Sequence, residues 1–141
     1  VETPEDDAAY RGAFDQITDV LTMMRERGIL ILFGTDMGGS FNLHRELELY
    51  QNIGFTPGEI LKRATLDSAE YLGMGEEIGS IEEGKLADFF LVPGNPVEDL
   101  KAIKTIRMVM SDGVAYFPSE IYPAFGIEPF TDAPAILPPG E

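Results

Sequence analysis

Five apolar residues in a row, Ile29-Leu30-Ile31-Leu32-Phe33, constrain this chain more than any other feature. The run does not alternate with polar residues, so it suits a strand covered on both faces, as in parallel sheets flanked by helices. It falls far short of a membrane span. The residues before it agree. Thr3 can cap a helix whose first position is Pro4, and Phe14, Ile17, Leu21 and Met24 recur at helical spacing. Arg25 and Arg27 then precede a stop at Gly28, and the helix-to-strand loop is short, as such loops usually are. After the run comes a glycine-rich loop, Gly34-Thr35-Asp36-Met37-Gly38-Gly39-Ser40.

Further along, the pattern predicts a second helix through His44-Arg45-Glu46-Leu47-Glu48-Leu49-Tyr50, ending at Gly54. Thr56-Pro57-Gly58-Glu59 reads as a capping box opening a third helix through Ile60, Leu61 and Ala64. Asp67-Ser68-Ala69-Glu70 repeats that logic for a short fourth helix stopping near Gly73. After residue 75 the period becomes extended. Residues 86–92 read as a strand, and Gly94-Asn95-Pro96 as a turn. Ile106, Met108 and Met110 alternate with Arg107, Val109 and Ser111 as a half-buried strand, and Asp112-Gly113 signals a hairpin returning through residues 114–117. From Pro118 the proline- and aromatic-rich tail reads as irregular chain, and there is no internal repeat. These readings divide the chain into residues 1–75, 76–117 and 118–141. They also set a problem. No second run resembles residues 29–33, so a strand there expects pairing from further N-terminal residues, a companion fragment or another copy of the chain.

Composition narrows the chemistry. With 25 acidic and 10 basic side chains the net charge is −15, which repels phosphate backbones and argues against nucleic acid or anionic membranes as partners. The absence of cysteine removes disulfides and zinc-thiolate sites but identifies no compartment. The start, Val1-Glu2-Thr3-Pro4, has neither the basic residues nor the apolar segment of a signal peptide, and it lacks methionine; a processed, cleaved or engineered start is expected. Only one histidine, His44, is present, so two-histidine zinc sites cannot be made from these residues.

Asp36 has the best chemical context, just past the carboxyl end of a strand that reads as parallel, where α/β folds bind ligands. A carboxylate there can ligate a divalent metal or accept a proton from water. The competing reading is an Asx-turn or helix cap. His44 could face the same pocket as a substrate-binding residue, or simply bond to backbone at a helix start. Glu46 and Glu48 read as a solvated helix face. Gly38, Gly39 and Ser40 resemble a phosphate cradle only weakly, and no P-loop or G-x-G-x-x-G spacing occurs.

The order of motifs resembles the metal-dependent amidohydrolase superfamily, particularly its imidazolonepropionase-like and prolidase-like members. The resemblance rests on residues 29–36, Leu43-His44-Arg45-Glu46-Leu47, Gly54-Phe55-Thr56-Pro57, Ala64-Thr65-Leu66-Asp67-Ser68-Ala69, residues 79–88 with their Gly84-Lys85-Leu86-Ala87-Asp88 block, and Gly94-Asn95-Pro96. It implies the last β/α units of a (β/α)8 TIM barrel plus strands of a small composite β-sandwich, with residues 29–33 as the eighth strand. It further implies that Asp36 is metal ligand and general base, with a divalent metal, zinc first, in the whole protein. The superfamily's histidine ligands and carboxylated lysine belong to strands outside this sequence, so these residues alone are expected to hold no metal tightly. Asp67 stands where many relatives carry asparagine, at a position read as a helix cap.

Two functions follow as expectations. The first is the C-terminal portion of a hydrolase acting on amide, cyclic amide or dipeptide-like C–N bonds of a small-molecule substrate. The second is a non-catalytic fragment or assembly module, inactive without the N-terminal barrel strands. Partners would be the rest of the barrel, another protein chain or a second copy.

Overall fold

The computed structural model describes residues 3–36 and 40–136. The chain divides into two compact units, residues 1–56 and 57–141.

The first unit begins with α1 (Pro4–Glu26). Its start is a full capping box: the Asp6 amide donates to the Thr3 hydroxyl at 3.1 Å, and the Thr3 amide donates to the Asp6 carboxylate at 3.0 Å. The helix ends in a Schellman arrangement, with the Gly28 amide on the Arg25 carbonyl and the Ile29 amide on the Met24 carbonyl. Despite its length, α1 buries no residue, and Tyr10, Ile17 and Val20 are at least half exposed.

The five apolar residues after Gly28 form no strand and pair with no other described segment. This corrects the expected strand at 29–33. A ladder needs a partner, and the described residues of this chain supply none. Ile31 is buried, while Ile29 and Leu30 remain nearly half exposed. α2 (Ser40–Asn52) then supplies Leu47 and Tyr50 to a small core with Ile31, Ile53 and Phe55. It closes through Gly54 at φ 90°, a left-handed position that an L side chain rarely adopts. There the Phe55 amide reaches back to the Tyr50 carbonyl, and the two rings meet at 5.8 Å. The Arg25 guanidinium lies 5.0 Å from the Phe55 ring centroid, tying the end of α1 to the end of α2.

The second unit opens with α3 (Pro57–Lys62), a π-helical turn (Arg63–Asp67) and α4 (Ser68–Tyr71), which run on without a break. Asp67 is therefore not a helix cap. Its backbone is helical at φ −62° and ψ −35°, with no capping hydrogen bond. Its carboxylate instead pairs with Lys62 and, at 3.3 Å, with Arg63 one turn back. The Ser68 hydroxyl donates to the Arg63 carbonyl across the wide turn. Ile60 and Leu100 are fully buried here, each contributing about 1.5–3 kcal/mol by removal from water.

Three short strands follow: β1 (Phe89–Leu91), β2 (Met108–Ser111) and β3 (Val114–Tyr116), in an antiparallel sheet ordered β1-β2-β3. The predicted hairpin is present. Asp112 and Gly113 both take positive φ, 49° and 74°, as a two-residue turn matching strand twist requires. Asp88, the last residue of the glycine-lysine-leucine-alanine-aspartate block, accepts a hydrogen bond from the Asp112 amide at 2.9 Å. Lys85 of the same block is largely buried and donates to the Gly75 carbonyl and the Ser80 hydroxyl, both at 2.6 Å. The block thus ties its own loop and the hairpin turn together. The tail is more ordered than its composition predicts. Pro118 starts α5 (Pro118–Ile121), a 3-10 turn (Tyr122–Phe125) continues it, and Tyr122 packs edge-on against Phe130.

Candidate active site around Asp36

Asp36 lies at the end of the apolar segment and is exposed. Its φ is 47°, in the left-handed region, one of two non-glycine residues described there. Aspartate tolerates that region better than most residues, yet a backbone held there is more often found at functional sites than elsewhere. Met37, Gly38 and Gly39 lie outside the described residues, and with them most of the weak phosphate-cradle reading.

The segment leading to Asp36 is held from α2. The Tyr50 hydroxyl donates to the Leu32 carbonyl at 3.1 Å. The Tyr50 ring meets Phe33 edge-on, with centroids 4.1 Å apart. One turn earlier on the helix, the Glu46 carboxylate accepts a long hydrogen bond, 3.5 Å, from the Gly34 amide. Burial, and secondarily the Glu46 charge, pushes the Tyr50 phenol above its usual pKa, so it stays a hydrogen-bond donor through the physiological range.

Glu46 and Tyr50 are the residues that the sequence reading passed over. Glu46 was assigned to a solvated face, yet it is partly buried beside the buried Leu47 and Tyr50. The available signal was helical spacing: Glu46, Leu49, Tyr50 and Ile53 share one face. Together with Phe14, Ile17, Thr18 and Leu21 of α1, that face lines an apolar recess of about 220 Å³. His44 sits two residues before Glu46 in α2, half-buried and already engaged in an interaction of its own.

As to metals, the described residues contain no group of three or more histidine, cysteine, aspartate or glutamate side chains able to hold an ion.

The sequence matches the model of the amidohydrolase family over residues 13–115, and the chain belongs to that family. Among curated relatives, it is 35% identical over 82 residues to a 5-methylthioadenosine/S-adenosylhomocysteine deaminase of Symbiobacterium thermophilum, covering 49% of this chain and 19% of the relative. An imidazolonepropionase of Caldanaerobacter subterraneus subsp. tengcongensis is 40% identical over 72 residues, covering 48% of this chain and 17% of the relative. In structure the chain is similar to a Xaa-Pro dipeptidase crystallised with methionine in its active site, at a TM-score of 0.67 and 34% identity, over 73% of this chain and 26% of that one. A prolidase of Bifidobacterium longum, so named with reservation by its crystallographers, aligns at a TM-score of 0.61 and 38% identity, covering 67% of this chain and 25% of that one. The chain thus spans about a fifth of the length of these curated relatives.

Proposed function

We propose that this chain is the C-terminal portion of a metal-dependent hydrolase of C–N bonds, with Asp36 as metal ligand and general base. The observation that carries the reading is Asp36 itself. It is an exposed carboxylate at the end of an apolar segment, with its backbone at φ 47°, inside the region that matches the amidohydrolase family. The wider architecture in this reading is the end of a (β/α)8 barrel over residues 1–75, composite β-sandwich strands over 76–117, and a tail over 118–141. The apolar segment at 29–33, which has no strand partner among the described residues, supports it, because an eighth barrel strand finds its neighbours in the first and seventh.

A divalent metal, zinc in the first instance, would polarise the scissile carbonyl and lower the pKa of the hydrolytic water. Asp36 would supply one ligand, take the proton that the water loses, and return it to the departing nitrogen. The other ligands would come from outside these residues, which offer one histidine and no cysteine. His44, on the helix that follows the loop, is the proposed substrate contact. The substrate class is a small amide, cyclic amide or dipeptide; relatives are named for a deaminase, an imidazolonepropionase and a Xaa-Pro dipeptidase. The partner is the N-terminal part of the barrel, another chain, or a second copy in a homo-oligomer.

The second reading, a non-catalytic fragment or assembly module, rests for the chain by itself on its residue inventory of one histidine and no cysteine. The test of the first reading is Asp36→Asn in the whole protein, assayed against amides, cyclic amides and Xaa-Pro dipeptides with metal content measured. Turnover is expected to fall about 10²–10⁴-fold with the fold intact. Near-normal turnover in a metal-loaded variant would remove Asp36 from the chemistry.

A further inference from the structure

We infer that Tyr50 and Glu46 are positioning residues for Asp36, setting its carboxylate through the backbone of residues 32–34. The inference rests on the role proposed for Asp36 and adds the device that aims it.

Three consecutive residues ahead of Asp36 are each held by α2. Leu32 is held at its carbonyl by the Tyr50 hydroxyl at 3.1 Å. Phe33 is held at its ring by the Tyr50 ring, with centroids 4.1 Å apart. Gly34 is held at its amide by the Glu46 carboxylate at 3.5 Å. Glu46 and Tyr50 stand four residues apart, one above the other on the helix, so a single rigid face makes all three attachments. Tyr50 is itself buried, 8% exposed, and its ring also meets Phe55 at 5.8 Å. Residues 29–33 pair with no other described strand, so no described ladder could do the same work. Only Thr35 separates Gly34 from Asp36, and two residues span at most about 7 Å. The held backbone therefore lies close enough to Asp36 to set where its carboxylate starts from.

The division of labour is specific. The Tyr50 ring supports packing, and its hydroxyl sets register. Tyr50→Phe keeps the first and removes the second, while Glu46→Gln keeps the length of the side chain and weakens an ionic acceptor to a neutral one. Both side chains act on the backbone ahead of Asp36.

The experiment uses the whole protein in three variants, Tyr50→Phe, Glu46→Gln and Asp36→Asn. Zinc alone is the probe for metal retention against a chromophoric chelator, the panel of amides and Xaa-Pro dipeptides reports turnover, and hydrogen exchange reports the Gly34 amide. Tyr50→Phe is expected to lower kcat and weaken zinc retention by about 10–100-fold, the range for residues that orient a metal ligand, with KM unchanged. Glu46→Gln is expected to act in the same direction and to speed exchange at the Gly34 amide. Unchanged kcat and zinc retention in both variants would overturn the inference, as would a lowered melting temperature with neither of those quantities moved. If Asp36→Asn abolishes turnover while Tyr50→Phe and Glu46→Gln leave it intact, the positioning role alone falls. If Asp36→Asn keeps both turnover and zinc retention, the reading of the site falls and takes this inference with it.

Discussion

Residues 29–33 and strands β1 and β2 are built from similar apolar side chains, yet they end in different states. β1 pairs with β2 in a defined register, Phe89 opposite Met110 and Leu91 opposite Met108, and β2 continues through a two-residue turn into β3. Residues 29–33 pair with nothing described. The helices differ in the same way: α1 buries no residue, whereas the run from α3 to α4 buries Ile60 and Ala69. The three strands of the second unit find their partners within its own sequence. In the first unit α1 leaves Tyr10, Ile17 and Val20 at least half exposed, and residues 29–33 have no strand partner among the described residues. A short loop brings an antiparallel partner at once, whereas a strand covered on both faces depends on neighbours that lie far away in sequence or outside it.

That contrast predicts that truncations to alanine cost very unequally in the 141-residue chain. Leu100→Ala removes a side chain only 1% exposed and is expected to destabilise the second unit by about 2–5 kcal/mol. Val20→Ala, on the half-exposed face of α1, is expected to stay within about 0.5 kcal/mol. Urea unfolding followed by circular dichroism measures both. Comparable losses at the two positions would mean that α1 is covered in solution, by a second copy or otherwise, and would break the comparison.

A smaller effect should appear where the second unit holds its loop against the helical run. Gly79 has φ 96°, and a Cβ there would stand 2.8 Å from the Ala69 Cβ and 2.9 Å from the Leu66 Cα. Backbone cannot yield as a flexible side chain does. Gly79→Ala is therefore expected to cost about 1–3 kcal/mol for the overpacking, with added strain from the left-handed φ. Hydrogen exchange in the π-helical turn should rise at the same time. An unchanged exchange pattern would show that the loop and the turn are not coupled.

What could be read from the sequence follows the same division. Thr3-Pro4 gave away the start of α1, and Asp112-Gly113 the hairpin, because the signal for each sits within four residues. The resemblance to amidohydrolases was equally legible, since it rests on short blocks in a fixed order. Asp67 was misread because a carboxylate ahead of Ser-Ala-Glu looks like a cap; its pairing with Lys62 and Arg63 depends on the helix running straight through, which local pattern cannot decide. Glu46 was assigned to solvent because its partner, Gly34, lies twelve residues back in another segment. The conformation at position 36 was not legible, for nothing in Gly-Thr-Asp requires a positive φ.

The smallest expected effect concerns Glu82, in the loop that Lys85 locks. The Ser80 hydroxyl donates to the Glu82 carboxylate, and the Lys85 ammonium stands 3.5 Å away. The hydrogen bond first, and the Lys85 charge second, hold the carboxyl below its ordinary pKa. A folded-state value below the unfolded one means that the unfolded chain takes up this proton first as the pH falls. The contribution to stability is therefore fully present above the unfolded-state value and is lost as pH falls through the folded-state value. Wild type should exceed Glu82→Gln slightly at neutral pH, and the two stability curves should converge in acid. The carboxylate is exposed, so the gap should stay small and shrink further with added salt. A carboxyl titration by NMR, read beside the two curves, measures it. Lys85 keeps its bonds to Gly75 and Ser80 in the variant, so the loop should hold its exchange protection at every pH. Protection lost together with the Glu82 charge would mean that the second unit depends on exposed electrostatics as well as on its buried contacts.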